Sequence, residues 1–208
     1  MNFVQHSELR GKHALLAPSQ PHWLGYSEDK LYQKYVSRYA QDIGTLLHEL
    51  AETLIRNNLK LKKSDKLVVL TKLLENGIPR NVIEIERIYG NFMNYVNDAI
   101  GYKLTPEQVL FYSEYCFGTA DAISFRQNVL RIHDYKSGTT PAKMEQLLIY
   151  AALFCLEYRV KPGEIEIHLC IYQNDEVLYH DPTADEIVHI MDTIIQQSKA
   201  LERMNEEG

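Results

Sequence analysis

The chain has 208 residues, 45% of them hydrophobic and 24% charged, and 22 Lys and Arg against 28 Asp and Glu give a formal net charge of −6. That length suits one domain with a sizeable core and is short for two. The acidic balance excludes a protein that coats nucleic acid through bulk charge, and no apolar run approaches the length of a membrane span. The N-terminus lacks the charged-then-apolar layout of a secretion signal, so a cytosolic protein without membrane contact is expected. Cys116, Cys155 and Cys170 lie far apart in apolar segments and read as buried thiols rather than a disulfide framework or a zinc cluster.

Residues 1–27 read as an arm. Pro18, Pro21 and Gly25 break any long element, Trp23 is its packing anchor, and His6, His13 and His22 fit no zinc spacing. Residues 28–104 read as mainly helical. A helical period runs over 28–58 through Leu31, Tyr35, Tyr39, Ile43, Leu46, Leu47, Leu50 and Leu54, with His48 beside the apolar stripe. Gly44, one turn earlier, leaves room for a close approach. Helices over 66–76 and 81–99 follow, divided by the Gly77 and Pro79 punctuation.

From residue 105 the pattern turns to sheet, with a strand over 108–115 carrying Glu114. Next comes a hairpin in which Asp121, Ile123 and Phe125 alternate against Ala120, Ala122 and Ser124, and Leu130, Ile132, Asp134 and Lys136 against Arg131, His133 and Tyr135. A tight turn at Gln127 and Asn128 pairs Phe125 with Leu130 and Ile123 with Ile132, which sets Asp121 across from Asp134. The turn lacks the glycine that two-residue hairpins favour.

Opposed carboxylates about 5 Å apart at Cβ repel one another unless a cation lies between them. With Lys136 on the same side as Asp134, the hairpin end suits a hard divalent ion held by oxygen ligands; the alternative is a solvated hairpin end with a salt bridge.

Beyond the hairpin a helix is expected over 141–158, with Lys143, Gln146 and Tyr150 sharing one face at i, i+3 and i+7. A strand over 164–172 turns at 173–175 and returns over 177–179. Thr183 and Glu186 form a capping box that opens a last helix, which frays after Met204. Strands, helix, strands and helix make a mixed sheet flanked by helices. Lys60, Lys62, Lys63 and Lys66, or Lys143 with Arg126 and Arg131, are the candidate basic tracks, and most such runs are solvated faces.

Asp121 in a G-x-x-D strand, Asp134, Tyr135 and Lys136 in a D-x-K strand, and Gln146-x-x-x-Tyr150 resemble the PD-(D/E)XK nuclease superfamily in its RecB-like branch. That branch carries a histidine on an upstream helix, matched by His48 after Gly44. The segment from Gly11 to Gly25 is similar to the start of phage-encoded members.

The resemblance implies a restriction-endonuclease-like α/β fold and Mg²⁺ or Mn²⁺ held by His48, Asp121, Asp134 and the Tyr135 backbone carbonyl, with Glu114 a further acid. It also implies phosphodiester hydrolysis. Lys136 would position or deprotonate the attacking water, or stabilise the developing charge, while Gln146, Tyr150, Lys143 and Ser137 place the DNA strand. Too few cysteines are present for the iron–sulfur cluster of some branch members, and none is expected. An exonuclease of phage-type recombination or replication, acting beside a single-strand-binding or annealing protein, is the first reading. A structure-specific endonuclease and a catalytically silent binding module on the same fold are the alternatives.

Overall fold

A computed structural model describes residues 4–9, 11 and 14–206; Lys12 and His13 of the arm lie outside them. Five strands form one mixed sheet in the order β1-β2-β3-β4-β5, namely β1 Thr105–Ser113, β2 Cys116–Arg126, β3 Val129–Tyr135, β4 Glu166–Gln173 and β5 Glu176–His180. Neighbours run antiparallel except β3 and β4, which are parallel and joined by the crossover helix α4 (Glu145–Tyr158). Helices α1 (Glu28–Arg56), α2 (Lys66–Glu75) and α3 (Ile85–Gly101) pack on one face, and α4 and α5 (Ala184–Glu206) on the other. The fold is therefore an α/β sandwich with a helical N-terminal half, as the periodicity indicates. Among the described residues no helix is long and apolar enough to cross a membrane.

Each face has its own core. Ile43, Leu47, Ala51 and Ile55 form the buried stripe of α1 and meet Val69, Leu73, Phe92, Tyr95 and the sheet residues Ala122, Tyr135 and Tyr172. Leu110, Leu130, Ile132, Leu169 and Ile171 meet Leu147, Ala151, Ile187 and Ile194 on the other side. Ser27 caps α1 by accepting from the Lys30 amide, and Thr183 and Glu186 close their reciprocal box at the start of α5. The Gln127–Asn128 turn forms without glycine. Its residues adopt φ of 52° and 60°, the left-handed pair of a type I′ turn, and Asn tolerates that region better than most residues.

Several boundaries depart from the sequence reading. β1 begins at Thr105 rather than 108 because the chain enters the sheet through Pro106, whose missing N–H is harmless on an edge strand. α3 begins at Ile85 after a 3₁₀ turn at Arg80–Val82. α4 begins at Glu145, not 141, because the preceding segment is held away by Gln173. The Gln173 amide donates to the carbonyls of Gly138 and Thr140 and accepts from the Ala142 N–H, all at 2.8 Å.

The alternation in β2 also slips. Ala120 packs with the α4–α5 core, yet so do Ile123 and Phe125, whose ring lies 5.1 Å from that of Phe154. The face of the strand thus changes by one residue at Asp121 and Ala122, opposite Glu107, a non-glycine residue at φ 51°. The one-to-one pairing of β1 with β2 is kept on both sides of this point, so it is a local kink without an inserted residue; the register shift of the pair lies between Phe111 and Ser113.

His133, 2% exposed, meets the Tyr172 hydroxyl at 3.2 Å, and that hydroxyl donates to Asp98 at 2.8 Å. Burial, with Arg131 and His168 adding to it, pushes the His133 imidazole down to about 4. The unfolded chain takes up this proton near pH 6.5 and the folded chain does not. Its contribution is therefore complete above pH 6.5 and is lost as pH falls toward 4, by about 3 kcal/mol in all. Denaturant unfolding of wild type and His133→Gln across pH 4–7 should show the stability gap between them shrinking by that order toward acid. A constant gap would place the titration elsewhere.

Candidate functional site

The site lies where the C-terminal end of β3, the kink in β2 and the start of β1 meet the middle of α1. His48 is carried there by α1, whose buried residues Leu47 and Ala51 flank it in sequence and fix the rotation of the helix. Its Nδ1 stands 3.5 Å from an Asp121 carboxylate oxygen and 3.9 Å from Glu107. His48, Glu107 and Asp121 each offer a ligand atom within 4.8 Å of the others, and so form a group that could hold a metal ion. Tyr135 backs the group from within the core. Its ring packs on Phe92, Tyr95 and His48 at centroid distances of 5.4, 5.8 and 6.0 Å, and its amide donates to Asp121 at 3.1 Å. His48, Glu107, Asp121 and Tyr135 line a cleft of about 700 Å³ together with Gly44, Glu49, Glu52, Lys136 and Ser137.

Asp134 stands beside this group at 1% exposure. The β2–β3 ladder pairs residues up to Ala122 with His133, and its continuation is Asp121 with Asp134. One Asp134 oxygen accepts from Lys136 at 2.9 Å; the other is buried with no hydrogen-bond partner. A buried carboxylate oxygen left this way is costly and asks for a cation or a donor.

The electrostatics follow from crowding acids. Burial first, then the neighbouring Asp134 and Glu107, push the Asp121 carboxyl up to about 8 against the opposing pull of the Tyr135 amide and Lys136. Burial and Glu52 likewise raise Glu107, with Arg56 opposing. Burial lowers His48 and leaves a neutral imidazole fit to be a ligand, although Asp134 and the Tyr135 backbone pull the other way. Lys136 is drawn down by burial, but the Asp134 carboxylate outweighs this and holds the ammonium above its ordinary value.

On the other face of the sheet Gln146 and Tyr150 occupy successive turns of α4, the amide donating to the hydroxyl at 3.1 Å. Tyr150 lies flush on β2. A Cβ at Gly118 would stand 3.0 Å from its ring, a tight contact to which the ring would have to yield, so the glycine of G-x-x-D lets the tyrosine of Q-x-x-x-Y lie close.

The structure thus gathers His48, Asp121, Asp134, Tyr135, Lys136 and Ser137, with Gln146 and Tyr150 at the adjoining face. It does not bring Glu114 to them. That residue sits in the β1–β2 turn between Ser113 and Cys116, at the far end of the strand from Glu107. Lys143 is exposed and precedes α4, so it does not share a helical face with Gln146 and Tyr150. Nor do the proposed basic tracks reach the cleft. Lys66 pairs with Glu86, and Arg131 lies over the ring of Tyr102. Gly44 faces the Ser137 hydroxyl, a Cβ there standing 3.5 Å away in ordinary contact, so no close approach demands it. Glu107 is the acid the sequence reading missed. A strand begun at Thr105 would have set it opposite Asp121.

An isolated Asp121 charge destabilises the metal-free fold, because the unfolded carboxyl ionises near 4 and the folded one near 8. Asp121→Asn should therefore raise the melting temperature of metal-free protein at pH 7–8 and abolish the further rise that Mn²⁺ gives to wild type. An Asn variant melting below wild type in chelator would contradict this account of the site. Removing Asp134 should destabilise instead, since it strands the Lys136 ammonium.

A comparison with curated proteins finds no match. The family model for a protein of unknown function, DUF2800, matches residues 13–200, nearly the whole chain, and the chain belongs to that family.

Proposed function

We propose that this DUF2800 protein is a metal-dependent deoxyribonuclease that degrades linear DNA from its ends, of the PD-(D/E)XK type. The observation that carries the reading is the His48, Glu107 and Asp121 ligand group, lining one cleft with the Lys136 ammonium, and behind it the buried Asp134 that holds Lys136 by one oxygen and leaves the other unpartnered. The donor set fits a hard divalent ion: carboxylates and one neutral imidazole, the last of which favours Mn²⁺ alongside Mg²⁺, joined on the resemblance by the Tyr135 backbone carbonyl. Bound there, such an ion would supply Lewis-acid polarisation of the phosphate and a more acidic water.

The chain's own residues account for the rest. Asp121, Asp134 and Glu107 hold the negative charge that draws the ion in. Asp134 also fixes Lys136, whose raised basicity suits a donor that positions the attacking water and stabilises developing charge, rather than a group that removes its proton. Gln146 and Tyr150 present an amide and a phenol to a strand crossing β2, and Ser137 offers a hydroxyl at the cleft wall. Because α1 roofs the cleft, a free end threading beneath it is the simplest route of entry, which supports an exonuclease. By the resemblance, it would work in the host cytoplasm within a phage recombination or replication system, beside a single-strand-binding or annealing protein.

With Mn²⁺ or Mg²⁺, an end-labelled linear duplex should be shortened steadily while covalently closed circles stay intact, and chelator should stop the reaction. Nicking of circles at a comparable rate would make it an endonuclease. A folded, metal-loaded protein that hydrolyses neither substrate would be a binding module. Lys136→Ala should lose turnover on the order of 100-fold, with Mn²⁺ affinity by calorimetry kept or improved because Asp134 is freed. Collapse of metal affinity would make Lys136 structural. Glu107→Gln should instead weaken Mn²⁺ binding, and unchanged affinity would remove it from the ligand set.

A further inference from the structure

Two phenylalanines on the strands that supply Glu107 and Asp121 are left uncovered. Phe111 of β1 and Phe117 of β2 are direct cross-strand partners, 49% and 62% exposed, with nearly parallel rings whose centroids lie 6.3 Å apart. Rings at that separation leave most of each other's faces bare. Leu110 and Ala120 point into the α4–α5 core, so Phe111 and Phe117 point to the opposite face, where α1 lies and His48 reaches down to the sheet. Thr119, exposed, is the one same-face residue of β2 between Phe117 and Asp121. Four strand residues span on the order of 13 Å, so the ring pair adjoins the cleft along its own strand.

Strand addition does not explain the patch. β1 is an edge of the sheet, yet two of its backbone groups beside the patch are already bonded to side chains. The Phe111 amide donates to Glu157 at 2.9 Å, the Val109 carbonyl accepts from the Gln108 side chain at 2.8 Å, and Pro106 has no N–H to offer. A second copy or a peptide pairing with this edge would have to displace those bonds. The cleft also gives a nucleic acid little charge to hold. Lys136 is the only Lys or Arg among its lining residues, against Glu49, Glu52, Glu107 and Asp121. A strand delivered to such a cleft needs a hold that does not depend on cations. Bare aromatic rings on a sheet face provide one, because every base has a face that stacks.

We infer that Phe111 and Phe117 form a stacking platform for the unpaired bases of a single DNA strand whose backbone passes into the metal cleft. This rests on the nuclease reading and specifies its substrate as single-stranded at the point of entry. The rings set position and affinity, with no part in the bond cleavage. Single strands or frayed ends are therefore preferred over blunt duplex, with little dependence on base identity.

The full-length protein and a Phe111→Ala/Phe117→Ala double variant test this with two readouts. In Mn²⁺, the double variant should raise KM for a labelled single-stranded oligonucleotide by roughly 10-fold or more. It should leave hydrolysis of bis(p-nitrophenyl) phosphate, which carries no base, unchanged, and Phe117→Trp should keep the wild-type KM. In chelator, where nothing is cleaved, wild type should quench 2-aminopurine in the oligonucleotide and the double variant should not. Unchanged KM and persistent quenching in the double variant overturn the platform, whatever the activity. A wild-type dimer in sedimentation that the double substitution makes monomeric also overturns it and assigns the patch to a second copy. Quenching by a wild type that hydrolyses neither substrate leaves the platform standing and overturns the nuclease reading alone.

Discussion

Crowding of negative charge at the end of one hairpin is the constraint that most of this structure answers to. Asp121, Asp134 and Glu107 stand within reach of one another in partly dry surroundings, where ionised carboxylates destabilise the fold. The chain manages the charge in three ways. Lys136 compensates Asp134, the Tyr135 amide compensates Asp121, and burial raises the Asp121 carboxyl to about 8, which favours its neutral form. The rigid backing of Tyr135 against Phe92 and Tyr95 lets the acids stay close, since the strands cannot relax apart without opening an aromatic core.

Much of this was legible before any coordinates. α1 and the hairpin announce themselves because each buries a regular stripe, and apolar matching alone places Ile123 against Ile132 and Asp121 beside Asp134. His48 follows from the same logic, because a helix whose stripe is fixed by Leu47 and Ala51 has no freedom in where the next side chain points. The kink was not legible. Glu107 at φ 51° and the slip of face at Asp121 arise from pairing between strands distant in sequence, and no local pattern in residues 105–123 encodes them. Glu114 is singled out and Glu107 passed over because a sequence does not reveal which end of a strand reaches the cleft.

The start of α4 failed for a related reason. Pro141 is a good first-turn residue, and propensity alone would begin the helix there. A tertiary contact overrides it. Gln173 spends its whole amide on the segment before the helix, and the competing hydrogen bonds keep Lys143 off the helical face.

That same amide has a mechanical consequence. The loop after Lys136 contains Ser137 and Gly138 of the cleft wall, and it is anchored to the last residue of β4 rather than to its own helix or strand. The position of the wall is therefore tied to the β4–β5 hairpin, in which Gln173 pairs with Glu176. On the nuclease reading proposed above, a short peripheral hairpin that itself carries no reacting group would then bear on how a long polymer enters and leaves.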